Sequence, residues 1–186
     1  RFGKAKVSLP GGCAIGMRPI NIHINALKKM GANIKIVEGY IYAVAKNGLK
    51  GAKIKFPKIS VGATENLLIA ACKAKGKTIL SNCAIEPEVK DLCNFLVKIG
   101  CKIKWLNKNK VQIEGVKKFK KINYKIMFDR IEAGTYMIAA AATKGRVAIK
   151  SIEPKIIKNE IELLKKIGVK IIEKKKKLTV TGSKNL

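Results

Sequence analysis

Cys13 is the residue of this chain best placed to do covalent or proton-transfer chemistry. It stands in Leu9-Pro10-Gly11-Gly12-Cys13-Ala14-Ile15-Gly16-Met17-Arg18-Pro19, which packs three glycines and two prolines into eleven residues. No apolar period runs through the stretch, so it reads as a loop. Glycines beside the thiol let the backbone approach a ligand closely or swing over one. Arg18, five residues on, would lower the thiol pKa and grip an anion. A surface turn with an incidental cysteine explains the same residues, and the loop alone leaves both readings open.

A second candidate is Lys58-Ile59-Ser60-Val61-Gly62-Ala63-Thr64-Glu65-Asn66, which runs into an apolar helix expected over Leu67–Ala74. Ser60 or Gly62 would cap it. Free amides and the helix dipole bind phosphate at such a terminus, and Lys58 adds charge. An ordinary cap is the plainer alternative. His23 is the only histidine. In the alternating run Ile20-Asn21-Ile22-His23-Ile24 it reads as a satisfied structural side chain. The five cysteines are odd in number and lack a Cys-x-x-Cys, which argues against a disulfide framework or a metal site. Cys72 and Cys93 fall in apolar helical patterns, Cys83 in a turn and Cys101 at a strand start, as small core residues do in a reducing compartment.

These residues need a scaffold, and 186 residues suffice for one large domain or two small ones. The first residue is Arg1 and the chain stops soon after Thr181-Gly182-Ser183, so a piece of a longer protein is expected. No apolar run reaches membrane-spanning length. A net charge of +28 points to polyanions, but only four of the 40 basic residues are arginine and aromatics make up 5%. Lysines spread over every segment fit solvated faces, so contact with nucleic acid is expected to be nonspecific. In so lysine-rich a chain, a retained arginine such as Arg18 is a candidate bidentate contact.

Helical spacing marks Ile22–Met30, Val89–Ile99, Ile131–Ala142 and Pro154–Ile167. Strands are expected over Ala32–Val37, Tyr40–Ala45, Ala52–Phe56, Lys77–Leu80, Cys101–Trp105, Val111–Glu114, Lys125–Phe128, Val147–Lys150, Val169–Ile172 and Leu178–Thr181, with Lys117–Lys121 as a basic linker. The order repeats. Lys98-Ile99-Gly100-Cys101-Lys102-Ile103 returns 68 residues later as Lys166-Ile167-Gly168-Val169-Lys170-Ile171, and Lys29-Met30-Gly31-Ala32-Asn33-Ile34 precedes the first by 69. Glu86-Pro87 returns as Glu153-Pro154, 67 residues on. The complete units read helix–strand–helix–strand–strand. That period is too long for a common solenoid. It fits copies of an α/β unit about a pseudo-symmetric axis, with helices buried inside sheets.

The loop Pro10–Gly16 with Arg18-Pro19, the run Lys58–Thr64, Glu86-Pro87-Glu88 and Asp129-Arg130-Ile131-Glu132-Ala133-Gly134-Thr135 together resemble the enolpyruvyl transferases that act on UDP-N-acetylglucosamine. The resemblance covers essentially the whole chain, in order. It implies an inside-out α/β barrel of repeated helix–strand units, present here in part. Residues 1–127 would be the later part of the loop-bearing, nucleotide-sugar domain, and 128–186 the first repeat of a second. It implies transfer of the enolpyruvyl group of phosphoenolpyruvate to the sugar 3-hydroxyl, the first committed step of peptidoglycan synthesis, in the cytoplasm and without cofactor or metal. Cys13 matches the loop cysteine that donates a proton, forms a covalent adduct and is alkylated by fosfomycin. Arg18, Pro19, Ile20, Asn21 and Ile22 match one substrate-binding segment. Lys58, Ile59, Ser60, Val61 and Gly62 match another, at the UDP end. Asp129 and Arg130 match a structural or hinge-like position.

Asn21 departs from the family's usual Asp, which removes a charge from a nucleotide contact, and Ile85 replaces a residue that is often basic. The family's lysine near the native N-terminus, its proposed aspartate base and its later arginines have no counterpart here. The remainder of the parent chain is therefore an expected partner, and the isolated chain is expected to lack turnover. Two alternatives stay open: a shikimate-pathway relative, and a lysine-rich nucleic-acid-binding α/β module, which would lose affinity steeply with salt.

Overall fold

Residues 2–10 and 19–183 are described in the computed structural model. One plan recurs three times along them. The first copy is β1 (Lys4–Ser8), α1 (Asn21–Lys29), β2 (Asn33–Val37) and β3 (Tyr40–Val44). β4 (Lys53–Lys55) and α2 (Val61–Ala71) lead into the second, which is β5 (Lys77–Ser81), α3 (Pro87–Lys98), β6 (Lys102–Asn107) and β7 (Lys110–Glu114). α4 (Arg130–Ala142) leads into the third: β8 (Arg146–Lys150), a 3-10 turn at Pro154–Ile157, α5 (Lys158–Lys166), β9 (Lys170–Lys174) and β10 (Lys177–Thr181).

In each copy the last strand lies between the first and the middle one. The sheet orders are β1-β3-β2, β4-β5-β7-β6 and β8-β10-β9. All pairs are antiparallel except β4 with β5, which α2 joins as a parallel crossover. The residue after each last strand donates its N–H to a carbonyl before the first strand. These bonds are Ala45 to Gly3 (2.8 Å), Gly115 to Gly76 (3.2 Å) and Gly182 to Gly145 (2.9 Å). The repeated glycine found in the sequence has a backbone cause. Gly31, Gly100 and Gly168 follow α1, α3 and α5 with φ of +92°, +110° and +92°, the left-handed region that turns a helix into a strand.

The chain forms two compact units, Arg1–Tyr124 and Lys125–Leu186. In the first, α2 packs against α1, α3, β5 and β7. Its apolar residues run round the cylinder, as a helix enclosed by other elements requires. Leu67, Leu68 and Ala71 are fully buried, with Phe56, Leu80, Val111 and Ile113 around them. Tyr124 pins the end of this unit, donating its hydroxyl to Asp91 Oδ1 (2.8 Å) and standing edge-on to Phe95 at 5.3 Å. The second unit has its own core of Met137, Ile157, Ile161, Leu178 and Val180.

Three expectations change. α2 starts at Val61, six residues earlier than its apolar run, because Ser60 caps it and small residues fill the first turn. Lys125–Phe128 is not a strand: Ile126 is 76% exposed and no strand pairs with it. The helix at Pro154 opens as a 3-10 turn before α5.

Candidate functional site

Cys13 and Arg18 lie outside the described residues. The remaining residues predicted to bind substrate fall at two helix starts, those of α1 and α2. Pro19 and Ile20 lead into α1, with Asn21 and Ile22 in its first turn. Pro19 and Asn21 are exposed. Lys58 and Ile59 are exposed in the loop before α2, whose first turn holds Val61 and Gly62. α1 packs on α2, and residues of their first turns meet. A Cβ at Gly62 would meet His23 Nε2 at 3.6 Å.

Backbone chemistry gives the place its electrostatic sign. Two helix N-termini offer amide donors and the positive ends of two dipoles, and Lys58 stands in the loop before α2. On α2 the Ser60 hydroxyl takes only the Ala63 amide, at 3.3 Å. On α1 no side chain caps the start. Such an arrangement favours an anion.

His23 differs from its expectation. It is half-buried, and its Nδ1 is buried without a hydrogen-bond partner among the described residues. Its place against Gly62 was not readable from the alternating run, because the contact joins residues 39 apart in sequence.

Glu65 was also missed. Burial, then the charges of Glu88 and Glu86, raise its pKa above the ordinary value of 4.5. A carboxyl whose folded pKa lies above its unfolded one is destabilising when ionised. The cost is present at neutral pH and disappears as pH falls through the raised pKa. Glu65→Gln is therefore expected to raise the urea midpoint at pH 7, with the gain vanishing below pH 4.5. A gain equal at both pH values would contradict this account.

Asp129 caps α4, its Oδ1 accepting from Ile131 N (2.8 Å) and Glu132 N (3.1 Å), and Arg130 is the first residue of that helix. Among the described residues no helix is long and apolar enough to cross a membrane.

A family model described as EPSP synthase (3-phosphoshikimate 1-carboxyvinyltransferase) matches residues 1–186. A UDP-N-acetylglucosamine 1-carboxyvinyltransferase of Pelagibacter ubique (strain HTCC1062) is 63% identical over all 186 residues, which cover 45% of that relative. The enzyme of the same name from Endomicrobium trichonymphae is 50% identical, with 44% of its length covered. The chain thus spans under half the length of these relatives. Among solved structures, the enolpyruvyl transferase NikO of Streptomyces tendae superposes with a TM-score of 0.80 at 19% identity, over 99% of this chain and 45% of NikO. EPSP synthase of Acinetobacter baumannii gives 0.71 at 21%, over 98% and 43%. These two likenesses establish the fold.

Proposed function

The chain belongs to the EPSP synthase family of enolpyruvyl (carboxyvinyl) transferases, and from that membership we propose that it supplies the nucleotide-sugar side of an enzyme transferring the enolpyruvyl group of phosphoenolpyruvate to UDP-N-acetylglucosamine. The observation that carries the reading is identity: relatives at 63% and 50% both bear that activity in their names. The paired helix starts support it, since a UDP sugar brings a diphosphate.

In the reaction, the Cys13 thiol delivers a proton to the methylene carbon of phosphoenolpyruvate. The adjoining carbon gains oxocarbenium character and the sugar 3-hydroxyl oxygen attacks it. Loss of the hydroxyl proton gives a tetrahedral adduct. Departure of phosphate breaks the old carbon–oxygen bond, and loss of a methyl proton restores the double bond. Arg18 through Ile22 and Lys58 through Gly62 hold the nucleotide sugar. The product feeds peptidoglycan synthesis, and the enzyme works in the cytoplasm on these two small substrates.

The test is phosphate release by the intact protein carrying these residues. Release is expected with phosphoenolpyruvate plus UDP-N-acetylglucosamine, and none with shikimate 3-phosphate in its place. Release with phosphoenolpyruvate plus shikimate 3-phosphate, and none with UDP-N-acetylglucosamine, would replace this reading by the other activity of the family.

A further inference from the structure

The loop that carries Lys58 is exposed, short and without regular structure, yet both its ends are fastened to the one turn 81–84, half-buried at Ser81 and Asn82 and buried at Ala84. At its start, Phe56 N donates to Ser81 O at 3.0 Å. Asn82 Nδ2 donates to Phe56 O, also at 3.0 Å. At its end, the Thr64 hydroxyl donates to Ser60 O at 2.8 Å and accepts from Ala84 N at 3.0 Å. Phe56, Thr64 and Ala84 are 1%, 0% and 0% exposed. Asn82 holds a φ of +61°, a conformation that Asn tolerates better than most residues.

We propose that Thr64 and Asn82 are positioning residues for nucleotide-sugar binding, holding Lys58–Gly62 from the turn 81–84. This rests on the functional reading above. Both side chains bond backbone groups at the ends of the segment: Asn82 Nδ2 the Phe56 carbonyl, and the Thr64 hydroxyl the Ser60 carbonyl and the Ala84 amide. Thr64 takes the deeper half of the work. Among the described residues its hydroxyl is the partner of the buried Ala84 amide, and it fixes the carbonyl of the residue that caps α2. The Ser60 carbonyl also accepts from Thr64 N at 3.0 Å, so the hydroxyl adds direction to a group already engaged. Removing it leaves a buried N–H unpaired. The same hydroxyl ties Ser60 O, so its loss also loosens the residue that leads into the amides of Val61 and Gly62. Precise placement matters because displacements well under the size of an atom weaken anion contacts made by several donors at once.

The test uses the intact enzyme with Thr64→Val, Thr64→Ser and Asn82→Asp, the last keeping the backbone preference but losing the donor. Thr64→Val and Asn82→Asp are expected to raise the KM for UDP-N-acetylglucosamine and the Kd for UDP by about tenfold, the scale of one lost buried hydrogen bond. The KM for phosphoenolpyruvate and kcat should stay within about twofold. Thr64→Ser restores wild-type constants. A Thr64→Val enzyme with a lowered melting temperature but unchanged UDP affinity would overturn the proposal, because the hydroxyl would then serve folding alone. So would equal loss for both substrates. Wild-type enzyme that binds neither UDP nor its sugar would overturn the functional reading and this inference with it, a result distinct from a failure of the variants alone.

Discussion

Changing Cys13 to serine in the intact protein is expected to lower kcat by about 10²- to 10⁴-fold, the range that a positioned general acid contributes. A serine hydroxyl is smaller than the thiol and gives up its proton far less readily. Labelling supplies an independent readout. Fosfomycin should modify native protein at Cys13 alone, because the other four thiols are inert for stated reasons. Cys72, Cys83, Cys93 and Cys101 are between 0% and 4% exposed. Burial raises the pKa of each. It pushes Cys83 to about 12 and Cys93 to about 11. The thiolate is the nucleophile, so these four react only after unfolding. Peptide mapping before and after denaturation checks this, and label on Cys83 or Cys93 in native protein would remove Cys13 from its role.

Gly115→Ala should cost roughly 3 kcal/mol or more. A Cβ there would sit 1.7 Å from the Ala74 carbonyl oxygen and 2.8 Å from its carbon. Both are backbone atoms just past α2, with no flexible side chain to swing aside. The end of β7 must part from α2, and α2 is the centre of the first core. Gly182 repeats the contact after β10, where a Cβ would fall 2.5 Å from the Ala140 oxygen in α4. Gly134→Ala makes the contrast. Nothing beyond its own helix lies within 4 Å of that Cβ. Relief of glycine's helix penalty should add about 0.5–1 kcal/mol. Urea unfolding of the three chains decides it: a Gly115→Ala midpoint equal to wild type would refute the steric account.

The repeat was legible because its marker is a backbone demand. A helix that turns at once into a strand needs a left-handed residue, and Gly31, Gly100 and Gly168 supply it. The Glu38-Gly39 hairpin was readable for the same reason, both residues having positive φ. Features that depend on distant partners were not readable. Lys125–Phe128 has the apolar content of a strand, but strands exist only where a neighbour completes the ladder. The parallel pairing of β4 with β5 has no local signature. The segments 19–22 and 58–62 were marked by their resemblance, and the second also by Lys58 and its place before a helix. Thr64 and Asn82 were not, because one looks like any helical threonine and the other like any turn asparagine. Their partners lie 20 and 26 residues away. Glu65 likewise gains its meaning only when α3 brings Glu86 and Glu88 near.

The strand order that recurs in all three sheets also bears on how the chain reaches its structure. Each first strand meets its last within a short window: Lys4 with Val44, Lys77 with Glu114, Arg146 with Thr181. Closing such loops costs little entropy, and contacts this local favour fast folding. Only β4 reaches outside its own window to join β5. A chain leaving the ribosome can therefore finish one sheet while the next is still being made, without waiting for a distant strand.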